Sequence, residues 1–163
     1  KPDDVCMQFG LGAKFVIERG MGRRVSKEEA KEVLRRSEEA GLVHANLNTQ
    51  EIDFLCNCCP CHCAIILQTA LRQPKPGKVL FSGFQPRFDP DLCTACETCV
   101  DRCPAKALTL RENVPEVNMD RCFGCGICST GCPAEAVVLE ERPGAPEPPM
   151  SRKALRQAME SQK

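Results

Sequence analysis

Two stretches of this 163-residue chain carry the same pattern of cysteines, and this repeat constrains the fold more than any other feature of the sequence. Residues 93–108 read CTACETCVDRCPAKAL, and residues 122–137 read CFGCGICSTGCPAEAV. At an offset of 29 residues all four cysteines coincide, as do the proline after the fourth cysteine and the Ala-x-Ala that follows it. The repeat predicts a module built from two matching halves.

Each copy has the spacing C-x2-C-x2-C-x3-C-P, which suits a [4Fe–4S] cluster held by four thiolates. Three cysteines separated by two residues can surround three of the irons. The fourth cysteine is expected to begin a helix that leads away from this loop, because the proline after it suits a first helical turn. It is therefore predicted to reach the cluster of the other copy. Site I is then Cys93, Cys96, Cys99 and Cys132, and site II is Cys103, Cys122, Cys125 and Cys128.

Over residues 84–140 the chain resembles the bacterial-type ferredoxins with two [4Fe–4S] clusters, because it carries two complete copies of their motif in tandem. The resemblance implies an α+β module with the ferredoxin-like βαββαβ fold and pseudo-twofold symmetry. It also implies one-electron transfer between neighbouring clusters. A module this small has few apolar residues, so bound clusters are expected to supply much of its stability.

A second group of cysteines lies upstream, in the run CNCCPCHC at residues 56–63. The run favours an additional iron–sulfur cluster, because the downstream repeat implies cluster assembly in a reducing setting. Residues 38–63 are also similar to a region found upstream of the dicluster module in certain anaerobic iron–sulfur proteins. The candidate ligands are Cys56, Cys58, Cys59, Cys61 and Cys63, with Cys6 as a further candidate.

Three other interpretations of this run stay open. Cysteine and histidine suit zinc, although structural zinc usually takes two pairs of ligands set well apart. Residues 58–62 contain the haem c attachment pattern C-x-x-C-H, which ends in His62 and leaves Cys56, Cys59 and Cys63 unexplained. Thiols that switch between redox states are the remaining interpretation.

The composition excludes several classes of protein. With 22 basic and 22 acidic residues, the charge gives no indication of nucleic acid or an anionic membrane as a partner. No apolar run approaches the roughly 18 residues of a membrane span, and no secretory signal is visible. These absences favour the cytoplasm. The chain opens with Lys1 rather than Met, as expected of a processed product or a part of a longer protein.

The other sequence signals divide the chain into four parts. Gly10, Gly12, Gly20 and Gly22 predict no regular element in residues 1–25. The apolar stretch 64–71 predicts a short helix, as does the stretch 151–163. The expected parts are a mostly helical cysteine-rich region (1–72), a linker (73–78), the ferredoxin domain (79–142) and an extended Pro-rich tail that ends in a short helix (143–163).

Residues 26–42, SKEEAKEVLRRSEEAGL, predict a helix with well-defined ends. Ser26 suits the N-cap, and Glu29 three residues later completes a capping box. Gly41 suits the position after the C-cap. The residues expected on the buried face are Ala30, Val33, Leu34 and Ser37.

These features predict an electron-transfer protein, or a subunit of a larger anaerobic oxidoreductase complex, with redox proteins as partners. No dinucleotide-binding or phosphate-binding glycine motif is present, so no catalytic residue is predicted. The alternative is a redox or iron sensor whose N-terminal metal site switches its binding to a partner. The basic residues of 23–36 alternate with Glu28, Glu29 and Glu32, which argues against nucleic acid. A third interpretation is an enzyme that binds a substrate at an open iron of the N-terminal cluster.

Overall fold

The protein is a mixed structure of helices and strands in a computed structural model that describes residues 1–61, 63, 67–80 and 82–161. These residues divide into two compact units. The elements in chain order are β1 (Met7–Gln8), α1 (Gly10–Glu18), α2 (Lys27–Glu39), β2 (Val43–Ala45), β3 (Phe54–Cys58), α3 (Leu67–Leu71), α4 (Pro76–Val79), β4 (Phe84–Phe88), α5 (Thr98–Arg102), β5 (Leu108–Arg111), β6 (Val114–Val117), α6 (Ile127–Thr130), β7 (Val137–Glu141) and α7 (Arg152–Glu160).

The first unit consists of residues 1–40, 44–57 and 147–163. It contains α1, α2, α7 and most of a three-stranded sheet in the order β1-β3-β2. In the antiparallel pair of β1 and β3, Met7 lies opposite Leu55. Among the described residues of 1–72, helices hold more residues than strands do, but the prediction of a mostly helical region did not include this sheet. Its strands are two to five residues long, too short to display an alternating apolar pattern in the sequence.

The prediction that residues 1–25 hold no regular element is wrong, because α1 forms there. Gly20 has a φ of +66° and follows the C-cap residue Arg19, so this glycine ends the helix rather than preventing it. The amide of Gly20 donates to the carbonyl of Ile17 and that of Met21 to the carbonyl of Val16, each at 3.0 Å. These paired bonds are a Schellman motif, which satisfies the last carbonyls of a helix.

Helix α2 confirms the predicted boundaries. The hydroxyl of Ser26 accepts from the amide of Glu29 at 3.1 Å, and the Glu29 carboxylate accepts from the amide of Ser26 at 2.8 Å. Gly41, with a φ of +72°, follows the C-cap. On the predicted face Val33 and Ser37 are buried, and the Ser37 hydroxyl donates to the Val33 carbonyl at 2.7 Å. Both ends of this helix are therefore fixed by local sequence.

Replacing Ser26 by alanine is expected to destabilise the first unit by about 1 kcal/mol, because it removes an N-cap acceptor. The matched control is Ser151→Ala at the N-cap of α7, where the hydroxyl accepts at 3.4 Å from Ala154. The control is expected to cost less, because its bond is longer and no capping box accompanies it. Anaerobic urea unfolding followed by far-UV circular dichroism measures both. Equal midpoints for the two variants would contradict this prediction.

The C-terminal segment contributes to the first unit. Helix α7 confirms the short helix predicted from the sequence, and no helix or strand forms between Glu141 and Arg152, all of which the structure describes. The amide of Gln50 donates to the carbonyl of Pro149 at 3.0 Å, and the amide of Glu51 to that of Met150 at 2.9 Å. Residues after the Pro-rich stretch thus supply backbone partners to the segment ahead of β3.

The second unit consists of residues 41–43 and 58–146. From β4 to β7 its order is strand, helix, two strands, helix, strand. Strands β4 and β7 pair antiparallel with Phe84 opposite Glu141, and β5 and β6 form an antiparallel hairpin. Its turn holds Glu112 and Asn113, both with positive φ.

Helix α4 begins within the stretch 73–78 that the sequence predicted as a linker. Pro76 suits the first helical turn, since its missing amide hydrogen is not needed there. Both Pro76 and Gly77 are buried. The amide of Gly77 donates to the carbonyl of Asp120 at 2.8 Å, and a Cβ at this glycine would lie 2.6 Å from the carbonyl oxygen of Cys122. Close packing against residues 119–122 therefore gives this stretch a regular structure.

One hydrophobic cluster forms the core of the second unit. We call it the buried cluster; its members are Val43, Leu67, Ala105, Ala107, Cys122, Phe123 and Ile127. The half-buried side chains that pack against it include Cys58, Cys63, Cys103 and Cys125. Cysteines are thus part of the core itself. None of the helices in the described ranges has the length and apolar character needed to cross a membrane.

Candidate metal centres

The four cysteines predicted for site I line a single pocket. Three come from the loop between β4 and α5 and the start of that helix, and the fourth follows α6. Apolar side chains, among them Phe88, Pro115 and Val137, line the same cavity. The structure therefore brings the fourth cysteine of the second repeat to the first three cysteines of the first repeat.

The four cysteines predicted for site II line a second pocket. Its wall also includes Pro86, Phe123 and Ile127. Here Cys103, from the first repeat, joins the three leading cysteines of the second. The eight cysteines thus fall into the two groups of the sequence assignment, while their role as cluster ligands stays a prediction.

The two cysteine loops have the same backbone conformation. Ala95 and Glu97 adopt a left-handed φ near +55°, at +53° and +58°. The residues 29 positions later, Gly124 and Gly126, have φ values of +70° and +79°. A left-handed residue between successive cysteines turns the chain so that their side chains can face one cavity. The sequence repeat is therefore also a structural repeat at the level of individual residues.

The thiols of the two sites differ in their surroundings. Hydrogen bonds from Thr98 and Thr94 lower the pKa of the exposed Cys96 in site I. In site II, burial raises the pKa of Cys125 to about 11 and that of Cys128 to about 12. Buried thiols of this kind hold their protons at neutral pH until a metal replaces them. The donor set, four thiols around each cavity, fits an iron–sulfur cluster.

Backbone amides also point at the sulfurs of site II. The amide of Gly124 donates to Cys122 Sγ at 3.4 Å, and that of Ala107 donates to Cys103 Sγ at 3.3 Å. Such bonds stabilise negative charge on sulfur.

Arg142 contacts the backbone of Cys122 in site II, and the sequence did not indicate this contact. Its Nη2 donates to the carbonyl oxygen of Cys122 at 3.2 Å. Burial raises the pKa of the Cys122 thiol, and the Gly124 amide and the charge of Arg142 oppose that rise. Within the described ranges, Arg142 Nε is the buried side-chain atom left without a hydrogen-bond partner. No local motif could have revealed this contact, because the two residues are 20 positions apart.

The candidate ligands of the N-terminal site fall in both units. Cys6 and Cys56 belong to the first unit. Cys58, Cys59, Cys61 and Cys63 belong to the second. His62, which the haem interpretation requires and the zinc interpretation uses, lies outside the described residues.

Asn57, between two of these cysteines, is a buried polar residue whose role the sequence did not suggest. Its Nδ2 donates to the carbonyl of Val5 at 2.6 Å, and its Oδ1 contacts His44 Nδ1. The other ring nitrogen of His44 lies 3.0 Å from Glu38 Oε1. A chain of polar contacts therefore ties α2, β2 and β3 together within the first unit.

Over the described ranges, no group of three or more His, Cys, Asp or Glu side chains is close enough together to bind a single metal ion. Sites I and II are included in this statement. Their thiols line pockets, as expected for ligands of a cluster with several irons rather than of a single ion.

Residues 85–133 match the family model of the 4Fe–4S dicluster domain. The matched segment contains all eight cysteines of sites I and II. A search of curated proteins found no match. The chain therefore contains an iron–sulfur, metal-binding segment of ferredoxin-like type, and this supports a function in electron transfer. The N-terminal resemblance to anaerobic iron–sulfur proteins concerns residues outside the matched segment.

Proposed function

We propose that this protein passes single electrons through two [4Fe–4S] clusters, one at site I and one at site II, as a component of an anaerobic oxidoreductase complex. The observation that carries the proposal is that two separate cavities are each lined by four cysteines drawn from both repeats. When bound, such clusters accept and release one electron at a time. The proposal includes the ferredoxin-like βαββαβ arrangement, which the element order from β4 to β7 and the matching loop conformations support.

The chain's own residues have defined tasks in this proposal. The cysteines hold the clusters, and apolar side chains such as Phe88 and Ile127 keep water away from them. Around site I, Thr94, Cys96 and Glu97 are exposed, whereas residues 122–124 of site II are buried. Electron transfer weakens with distance, so exchange with a partner protein is expected at site I.

The proposed partners are redox proteins in a reducing, cytoplasmic setting that keeps thiols available to iron. Nucleic acid is left out of the proposal because cationic side chains near α2 are engaged in ion pairs. Arg23 lies 2.9 Å from Glu29, and Arg36 lies 3.4 Å from Asp4. An additional iron–sulfur cluster at the N-terminal cysteines is part of the proposal.

The test is chemical analysis and redox titration of anaerobically prepared protein. We expect at least about eight irons with matching sulfide. Electron paramagnetic resonance should follow two one-electron reductions that belong to [4Fe–4S] clusters. Protein that binds zinc alone, or that stays colourless after reconstitution with iron and sulfide, would refute the proposed function.

Arg142→Gln is expected to make site II harder to reduce. The reduced cluster carries one more negative charge, and the guanidinium beside Cys122 favours that charge. We expect a shift of roughly tenfold in the reduction equilibrium, which is about 59 mV for one electron. Arg142→Lys, which keeps the charge, should shift it less. Site I is the internal control, since Asn113 occupies the equivalent position in the first repeat. Equal shifts at both sites would contradict this assignment.

A further inference from the structure

Four cysteines of the upstream run lie in the same compact unit as sites I and II. They are Cys58, Cys59, Cys61 and Cys63. The two other candidate ligands, Cys6 and Cys56, lie in the first unit. The run that looks continuous in sequence is therefore divided after residue 57.

Pro60 and Cys61 form a turn, and contacts on either side of it link Cys59, Cys61 and Cys63. The amide of Cys63 donates to the carbonyl of Cys59 at 3.1 Å, and the sulfurs of Cys59 and Cys61 are 2.7 Å apart. The side-chain amide of Gln68 donates to the carbonyl of Cys61 at 3.3 Å. Cysteine thiolates are the soft ligands that iron–sulfur clusters require.

Leu67 anchors this turn to the core. Its side chain is fully buried within the buried cluster, and its amide donates to Cys63 Sγ at 3.5 Å. Cys58 and Cys63 themselves pack against the same cluster. The turn is therefore held at a fixed place in the second unit.

That place is next to site II. Five members of the buried cluster also line the cavity of site II; they are Ala105, Ala107, Cys122, Phe123 and Ile127. Among the described residues, the side chains that form or contact the buried cluster share no member with the lining of site I. The turn therefore packs against the same hydrophobic residues that line site II.

We infer that Cys58, Cys59, Cys61 and Cys63 bind a third iron–sulfur cluster that neighbours site II and not site I. This inference rests on the proposed function, because it takes sites I and II to hold clusters. It goes beyond that function by naming the ligand set and the neighbour. Cys6 and Cys56 are not needed as ligands.

The experiment uses the full chain, reconstituted anaerobically with iron and sulfide. The test variant is Cys59→Ala with Cys61→Ala, and the matched control is Cys6→Ala with Cys56→Ala. We expect wild-type protein and the control to hold about two to four irons beyond the eight of sites I and II, and the test variant to lose only these. Cys61→Ala alone, at an exposed position, serves if the double variant does not fold.

The electron paramagnetic resonance spectrum of the reduced protein shows which site lies next to the third cluster. The signal of site II is the one lost in Cys128→Ala, and it should change shape in the test variant because a nearby paramagnet has gone. The signal of site I should stay unchanged. A change at site I alone, a loss of iron in the control, zinc in place of iron at this third site, or a wild-type content of only about eight irons would each overturn the inference. Electron transfer through sites I and II would still stand. Protein without any iron would overturn both.

Discussion

Replacing Cys132 by alanine is expected to remove the cluster of site I and to leave the cluster of site II in place. Cys132 follows α6 in the second repeat but lines the cavity of site I. Burial is the main cause of the raised pKa of Cys99. The neighbouring thiols of Cys132 and Cys93 also raise it. Removing one of four thiolates from a cluster opens an iron to water, and we expect about four irons to be lost.

Cys103→Ala is the reciprocal variant, and it should remove the cluster of site II. Cys99→Ala is the matched control for Cys132→Ala, because both should remove the same resonance signal. Cys128→Ala should remove the signal that Cys103→Ala removes. If Cys132→Ala instead had the phenotype of Cys128→Ala, each repeat would hold its own cluster and the exchange of ligands between the halves would be wrong.

Gly124→Ala is expected to destabilise the second unit by about 3 kcal/mol or more. The φ of Gly124 is +70°, where a side chain costs about 1–2 kcal/mol. A Cβ would also collide with the carbonyl of Phe84 and the hydroxyl of Ser82. The Phe84 carbonyl belongs to β4, which is paired with β7, so it cannot move without disturbing that pair. Overpacking of this kind adds about 1–3 kcal/mol.

Gly144→Ala separates the cost of the left-handed backbone from the cost of the Cβ collision. Gly144 has a φ of +71°, and a Cβ there meets no atom within 4 Å. This control should therefore cost only about 1–2 kcal/mol, the conformational part of the effect. The midpoint of anaerobic urea unfolding, followed by the visible absorbance of the clusters, measures both variants. Similar midpoints for the two would show that the collision at Gly124 is relieved at little cost.

The sequence predicted the grouping of the cysteines at sites I and II more completely than it predicted the fold. A cluster imposes its spacing on residues that are close together in the chain, so the repeat itself groups the cysteines. The groups around the two cavities follow that assignment. The contact of Arg142 with Cys122 could not be predicted, because it requires the chain to return to the site after β7. Spacing rules contain no information about such a distant charge.

In the fold, elements with local signals were predicted and those with distant partners were not. Helix α2 carries its capping box in four consecutive residues, and both of its ends were found. Helix α4 contains Pro76 and Gly77, which locally indicate a break, and it forms because Gly77 packs against the backbone of Cys122. The strands of the first unit are short and gain their partners from distant segments. Tertiary contacts decide these elements, and no sequence window contains them.

The first unit is built from separate segments of the chain, and this affects the order of folding during synthesis. Residues 147–150 supply backbone partners to Gln50 and Glu51, yet all of residues 58–146 are translated between the two segments. The ribosome therefore releases every residue of the second unit before the first unit can close. Iron delivery to the nascent chain can begin while the N-terminal segments still await their last partners, which reverses the usual order in which the earlier part of a chain folds first.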